Sequence, residues 1–183
     1  MMKQTILFLS AFLFLISCKK EKIKESLPPQ TEISQKIDEL YKLYGNSNDA
    51  LYNQPFSDRL FSPELKKALE ASVNASKADM ERMRKSDHPD EKPLLFEGSV
   101  FSSLYEGFSG YKIKSIKINP SGTSADAFVE LEYTMSPPTI KWTDTVHVIN
   151  SGQGWKIDNI SFDSIGNSKD LKSSLKDFTQ NAQ

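Results

Sequence analysis

Cysteine is nearly absent from this 183-residue sequence: Cys18 is the only one, so the chain holds no internal disulfide. Histidine is as scarce, with only His88 and His147, and there is no metal-spaced histidine cluster, phosphate-binding loop or Gly-x-Ser-x-Gly elbow. Neither charge sign dominates. A formal charge of -1 and a pI near 6.2 argue against a nucleic-acid partner, which asks for a strongly basic face. No internal repeat of solenoid period is visible. The apolar run Ile6 to Ile16 covers about eleven residues, too few to span a hydrocarbon core of roughly 30 Å. These absences leave no expected metal or cofactor.

What is present begins with a targeting pattern. Lys3 supplies a positive start, Ile6 to Ile16 an apolar stretch, and Leu15-Ile16-Ser17-Cys18 an aliphatic residue three before the cysteine with a small residue just before it. This quartet resembles the lipobox of bacterial lipoproteins. The resemblance implies cleavage before Cys18, a diacylglyceryl thioether on its sulfur, and a further fatty acyl chain, palmitate or similar, on the new amino terminus. At roughly 0.8 kcal/mol per buried methylene, two or more chains hold a protein on a membrane stably. The expected organisation is a signal peptide over residues 1–17 and a lipidated cysteine with flexible tether over 18–30. An α+β domain over 31–163 and a C-terminal tail or short helix over 164–183 follow. The expected place is the cell envelope of a bacterium, at the outer membrane, facing the periplasm or the surface. Lys19-Lys20-Glu21-Lys22 reads as a solvated linker start with some affinity for anionic headgroups.

The domain is organised around Tyr111 to Phe162. Tyr111 and Ile113 share one parity and Ile116 and Ile118 the other, so a bulge near Lys114-Ser115 is needed to return all four to one face. After the turn Asn119-Pro120-Ser121-Gly122, the residues Ala125, Ala127, Val129, Leu131, Tyr133 and Met135 form one stripe. Ser136-Pro137-Pro138 interrupts. Ile140, Trp142, Asp144, Val146 and Val148 form the next stripe, and Ser151-Gly152-Gln153-Gly154 closes a hairpin onto Trp155 to Phe162. The pattern predicts a four-stranded antiparallel meander. Outward Glu130, Glu132 and Lys141 argue against a dimer through the sheet face.

Helices are expected around it. Ile33, Ile37, Leu40 and Tyr44 recur at helical spacing over Thr31 to Tyr44, with Thr31 or Ser34 as cap. Asn48 to Arg59 reads as a short helical turn. Ser62-Pro63-Glu64 is a helix start, and Leu65, Leu69, Ser72, Ser76, Met80 and Met83 extend one face to about Lys85. Leu94 to Gly110 reads as an edge strand, a short helix, or both in succession. Its two Glu-Gly pairs, Glu97-Gly98 and Glu106-Gly107, place acids where a cavity mouth would bind a cation or basic partner, though exposed loop acids are the commoner case. A weak helix is expected from Lys169 to about Thr179.

Helices followed by a bent meander ending in Gly154-Trp155-Lys156-Ile157-Asp158 resemble the nuclear-transport-factor-2-like, cystatin-like fold. More narrowly, Phe61-Ser62-Pro63-Glu64-Leu65 and Gly154 to Ile160 resemble an uncharacterised family of bacterial lipoproteins with that domain. The resemblance covers roughly Ile33 to Phe162 and implies a cone closed by sheet and helices, in which enzymes of the superfamily place Asp, His or Tyr. Asp144, Trp142 and Tyr133 are therefore the candidate pocket residues. A buried Asp144 would carry a raised pKa and suit a general base, whereas a backbone-bonded structural acid is the ordinary alternative. On sequence alone a nucleophile-His-acid set stays open. The expected function is a membrane-anchored, non-catalytic module that binds an envelope protein or a small ligand. A periplasmic immunity-type inhibitor of a secreted toxin is the alternative, and a small-molecule lyase or isomerase using Asp144 or His147 the second.

Overall fold

A computed structural model of the chain describes residues 27–45, 47–87, 91–166 and 169–181. Cys18 with its lipobox, and His88, lie outside the described residues. The architecture is α+β. Helices α1 (Pro29–Tyr44), α2 (Asp49–Asn53) and α3 (Pro63–Lys85) precede strands β1 (Gly110–Ile118), β2 (Ser124–Tyr133), β3 (Ile140–Asn150) and β4 (Trp155–Ser161), and α4 (Leu171–Asn181) ends the described chain. The strands pair antiparallel in the order β1-β2-β3-β4, an open sheet consistent with a cone-like form. Among the described residues no helix is long and apolar enough to cross a membrane.

The expected bulge is present: the β1–β2 register shifts between Ile113 and Ser115, and Tyr111, Ile113, Ile116 and Ile118 all pack against the core. Ala125, Ala127, Val129 and Leu131 of β2, with Trp142, Val146 and Val148 of β3, carry the inner face. A second bulge shifts the β3–β4 register after His147. It turns Asp158 out of the ladder while Trp155, Ile157 and Ile160 stay buried. Asp158 then accepts from the Ser62 hydroxyl at 2.6 Å and pairs with Lys172 at 2.8 Å. Ser62 is at the same time the cap of α3, its hydroxyl accepting from the Leu65 N–H at 3.1 Å. One hydroxyl thus joins a helix start to a sheet bulge.

Three expectations about the helical cover change. Helix α1 starts at Pro29 rather than near Thr31, with no side-chain cap, because a proline at the first helical position has no N–H to satisfy. On α3 the buried stripe is Leu65, Leu69, Ser72, Val73, Ser76 and Asp79, and Met80 and Met83 are only half-buried beside it. The polar members of that stripe are all bonded. Ser72 donates to the Leu175 carbonyl of α4 at 3.0 Å, Ser76 to the Leu94 carbonyl at 2.7 Å, and Asp79 accepts from the Leu94 N–H at 2.7 Å. Finally, Leu94 to Ser109 form neither strand nor helix. Their apolar residues serve different directions: Phe96 stacks on Phe178 of α4 at 4.2 Å, while Phe101 enters the core. Helix α4, with Leu171 and Leu175 buried, packs on α3 and β4.

Candidate functional site

The irregular segment before β1 builds the site. Gly98 and Gly107 adopt φ of 68° and 82°, the left-handed region where a Cβ is disfavoured, and they bracket a closed loop. Inside it the Ser99 N–H donates to the Tyr105 carbonyl at 2.8 Å, and the Gly107 N–H to that of Leu104 at 3.0 Å. Phe101 pins the loop: it is fully buried, 5.4 Å from the Tyr44 ring and 6.3 Å from that of Phe61.

Asp144 fastens the other side. It is fully buried in β3, and its carboxylate accepts from the Ser103 N–H at 3.0 Å, the Ser103 hydroxyl, the Asp163 N–H at 3.1 Å and the Trp142 indole N–H at 3.3 Å. Burial pushes its pKa up, and these hydrogen bonds pull the other way without cancelling the rise. The Asp163 N–H also reaches the Ser103 hydroxyl at 2.7 Å. The loop around Ser103 and the segment after β4 are therefore held together by one carboxylate. They approach so closely at Gly166 that an added Cβ would sit 2.6 Å from the Ser103 carbonyl oxygen. Only glycine fits there.

Between these two segments and the start of α4 lies a cavity of about 400 Å³, within the range of small-ligand sites. Val100, Leu104, Phe162 and Ile165 supply apolar wall, and Glu97 and Glu106 supply carboxylates. Ser99 and Ser102 also line it, and their hydroxyl oxygens are buried without a hydrogen-bond partner among the described residues. Ser102 as a whole is 4% exposed. A buried hydroxyl with no partner forfeits roughly 1–3 kcal/mol, so the two are a local cost of building this wall. Glu97 is held below the usual carboxylate range, first by its hydrogen bond from Lys92 and also by that from Tyr105.

The sequence-derived candidates take other places. Asp144 and Trp142 are brought together, and neither lines this cavity; they stand behind its wall through Ser103. Tyr133 is half-buried at the end of β2, opposite Ile140, and takes no part. The interior where the cone would open is filled near Asp144 by Tyr41, whose ring packs on Tyr111 at 4.8 Å and Phe108 at 5.1 Å. The Tyr41 hydroxyl is buried and has no partner among the described residues, and burial, with the charge of Asp144 adding to it, drives its pKa far up. Ser99, Ser102 and Ser103 carry no periodic signal that sequence reasoning could use. The two Glu-Gly pairs were the available pointer.

His147 forms a different arrangement on the outer face of the sheet. Its Nδ1 is 2.7 Å from Asp126 and its Nε2 2.7 Å from the Ser161 hydroxyl, the acid, imidazole and hydroxyl order of a hydrolase triad. Such chemistry needs a concave site and donors aimed at a developing oxyanion. Here the imidazole is about one-third exposed (34%) and the Asp126 side chain half exposed (50%), and none of the three lines the cavity. The set is a cross-strand polar ladder tying β2, β3 and β4. Among the described residues no group of three or more His, Cys, Asp or Glu is placed to hold a metal. Compared with protein-family models, with curated proteins and with solved structures, the chain matches none.

Proposed function

We propose that this chain is a membrane-anchored envelope lipoprotein of the nuclear-transport-factor-2-like type, whose α+β domain binds a small ligand without transforming it. The observation that carries the binding part is the cavity of about 400 Å³ walled by residues 97–106 and 162–166. The carboxylate nominated as a catalytic base supports the non-catalytic part. Asp144 is occupied by four donors and spends its acceptors on joining the cavity's two walls. A general base needs an acceptor free to take a proton from substrate. The lipobox Leu15-Ile16-Ser17-Cys18 supports the anchor.

The test is fractionation of cells producing either the native chain or Cys18→Ala. The native protein is expected in the membrane fraction and the variant in the soluble one. Equal distribution of the two forms would end the lipid-anchor reading.

A further inference from the structure

The two edges of the sheet end differently. Along β4, the Ile157 carbonyl accepts from the Ser62 N–H at 2.8 Å and the Ile157 N–H donates to the Leu60 carbonyl at 2.8 Å, so the chain entering α3 closes that side. The nine residues of β1 have no such cover: among the described residues their backbone pairs only with β2. An open edge of this kind offers a row of N–H and C=O groups to an incoming extended chain.

The side chains of β1 say which chain would fit. On the inner face, Ile113, Ile116 and Ile118 pack against the core yet are only half-buried, so apolar surface runs out to the free edge. On the outer face Lys112, Lys114 and Lys117 are exposed. Lys112 stands opposite Glu130 in the register and Lys117 opposite Asp126, but each acid is engaged elsewhere, Glu130 with Lys114 at 3.3 Å and Asp126 with His147 at 2.7 Å. Lys117 lies over the Phe128 ring at 4.8 Å, and neither it nor Lys112 has a carboxylate partner among the described residues. Edge lysines ordinarily keep copies of a chain apart, and a second β1 laid here would bring lysine toward lysine. That role leaves the half-buried isoleucines beside them unexplained. A strand turning carboxylates toward the lysines and aliphatic side chains toward the isoleucines would satisfy both faces and extend the ladder. We infer that the free edge of β1 takes an extended segment of a partner protein, with acidic and aliphatic residues in alternation, as a fifth strand. This surface is distinct from the cavity and does not depend on what the cavity holds.

The probe is a synthetic peptide of about eight residues alternating Glu and Val, long enough for one strand, with a Lys-Val peptide of the same length for comparison. Each is titrated into the full-length protein in detergent by fluorescence anisotropy, and amide hydrogen exchange of β1 is followed with and without peptide. The native chain is expected to bind the Glu-Val peptide saturably, to ignore the Lys-Val one, and to show slowed exchange at β1 amides in the complex. Replacing both free lysines, Lys112→Gln with Lys117→Gln, should weaken binding about tenfold or more while leaving the melting point close to native, since both side chains are exposed. Binding without slower exchange in β1 would place the peptide elsewhere and overturn the inference. Equal binding of the Lys-Val peptide, binding undiminished by the two substitutions, or no binding of the Glu-Val peptide would overturn it as well. So would a native chain that sediments as a dimer with its β1 amides already protected, which would give the edge to a second copy.

Discussion

Asp144 accepts from four donors, and an asparagine in its place would turn an NH2 group toward some of them. Asp144→Asn is therefore expected to lower stability by about 1–3 kcal/mol, read as a shifted urea midpoint at unchanged slope. The loss should be accompanied by easier proteolysis at residues 162–166, the segment this carboxylate ties down. A variant as stable as the native chain would mean that the clasp holds little. Tyr41 presents the opposite case, a hydroxyl that is buried beside Phe108 and Tyr111 with no partner among the described residues. Deleting it in Tyr41→Phe removes an uncompensated desolvation, so stability should stay level or rise by about 1 kcal/mol. A loss of similar size would reveal a hydrogen bond that the ring environment does not show.

At the scale of elements, the segment after α3 hangs on Asp79, which accepts the Leu94 N–H and pairs with Arg82. These two interactions, the backbone one first, hold the Asp79 carboxyl below its ordinary value. A carboxylate with a depressed pKa contributes stability that is present above its unfolded value of about 3.9 and is lost as pH falls through the folded one. Thermal midpoints of the native protein should accordingly fall more steeply between about pH 5 and pH 3 than those of Asp79→Asn; parallel slopes would contradict the role given to Asp79. Much of this layer was legible beforehand. The phase change between Ile113 and Ile116 required a bulge, and Ser62-Pro63-Glu64 marked a helix start whose cap the structure contains. A similar phase change, Ile157 to Ile160, announces the second bulge at Asp158 and is as readable in principle. The loop from Leu94 to Ser109 was not legible, because its order comes from distant partners. Asp144 lies 41 residues beyond Ser103 and 19 before Asp163, and no local periodicity encodes those bonds. Met80 and Met83 fit the helical stripe by spacing, yet the stripe drifts to Asp79 where the chain folds back along α3. Of the candidates chosen by strand parity, Asp144 and Trp142 stand behind the wall of this cavity and Tyr133 lies apart from it.

For the whole molecule, the proposed reading has two parts: acyl chains at Cys18 would set where the domain works, and the cavity between residues 97–106 and 162–166 would set what it binds. Helices α1, α3 and α4 all contact the sheet at β4, or each other beside it, and the cavity lies between the loop before β1, the turn after β4 and the start of α4. A tether of about ten residues between Cys18 and α1, extended at no more than roughly 3.3–3.6 Å per residue, would keep the start of α1 within about 40 Å of the lipid surface. The central claim, a lipid-anchored chain that carries a small ligand, is tested most directly by intact mass spectrometry. The protein would be extracted from its own membrane in mild detergent and measured first under native and then under denaturing conditions. The account predicts a denatured mass equal to residues 18–183 plus a diacylglyceryl group and one further acyl chain, and a native mass larger by one small molecule. A mass without acyl increments, or one that retains residues 1–17, would contradict it.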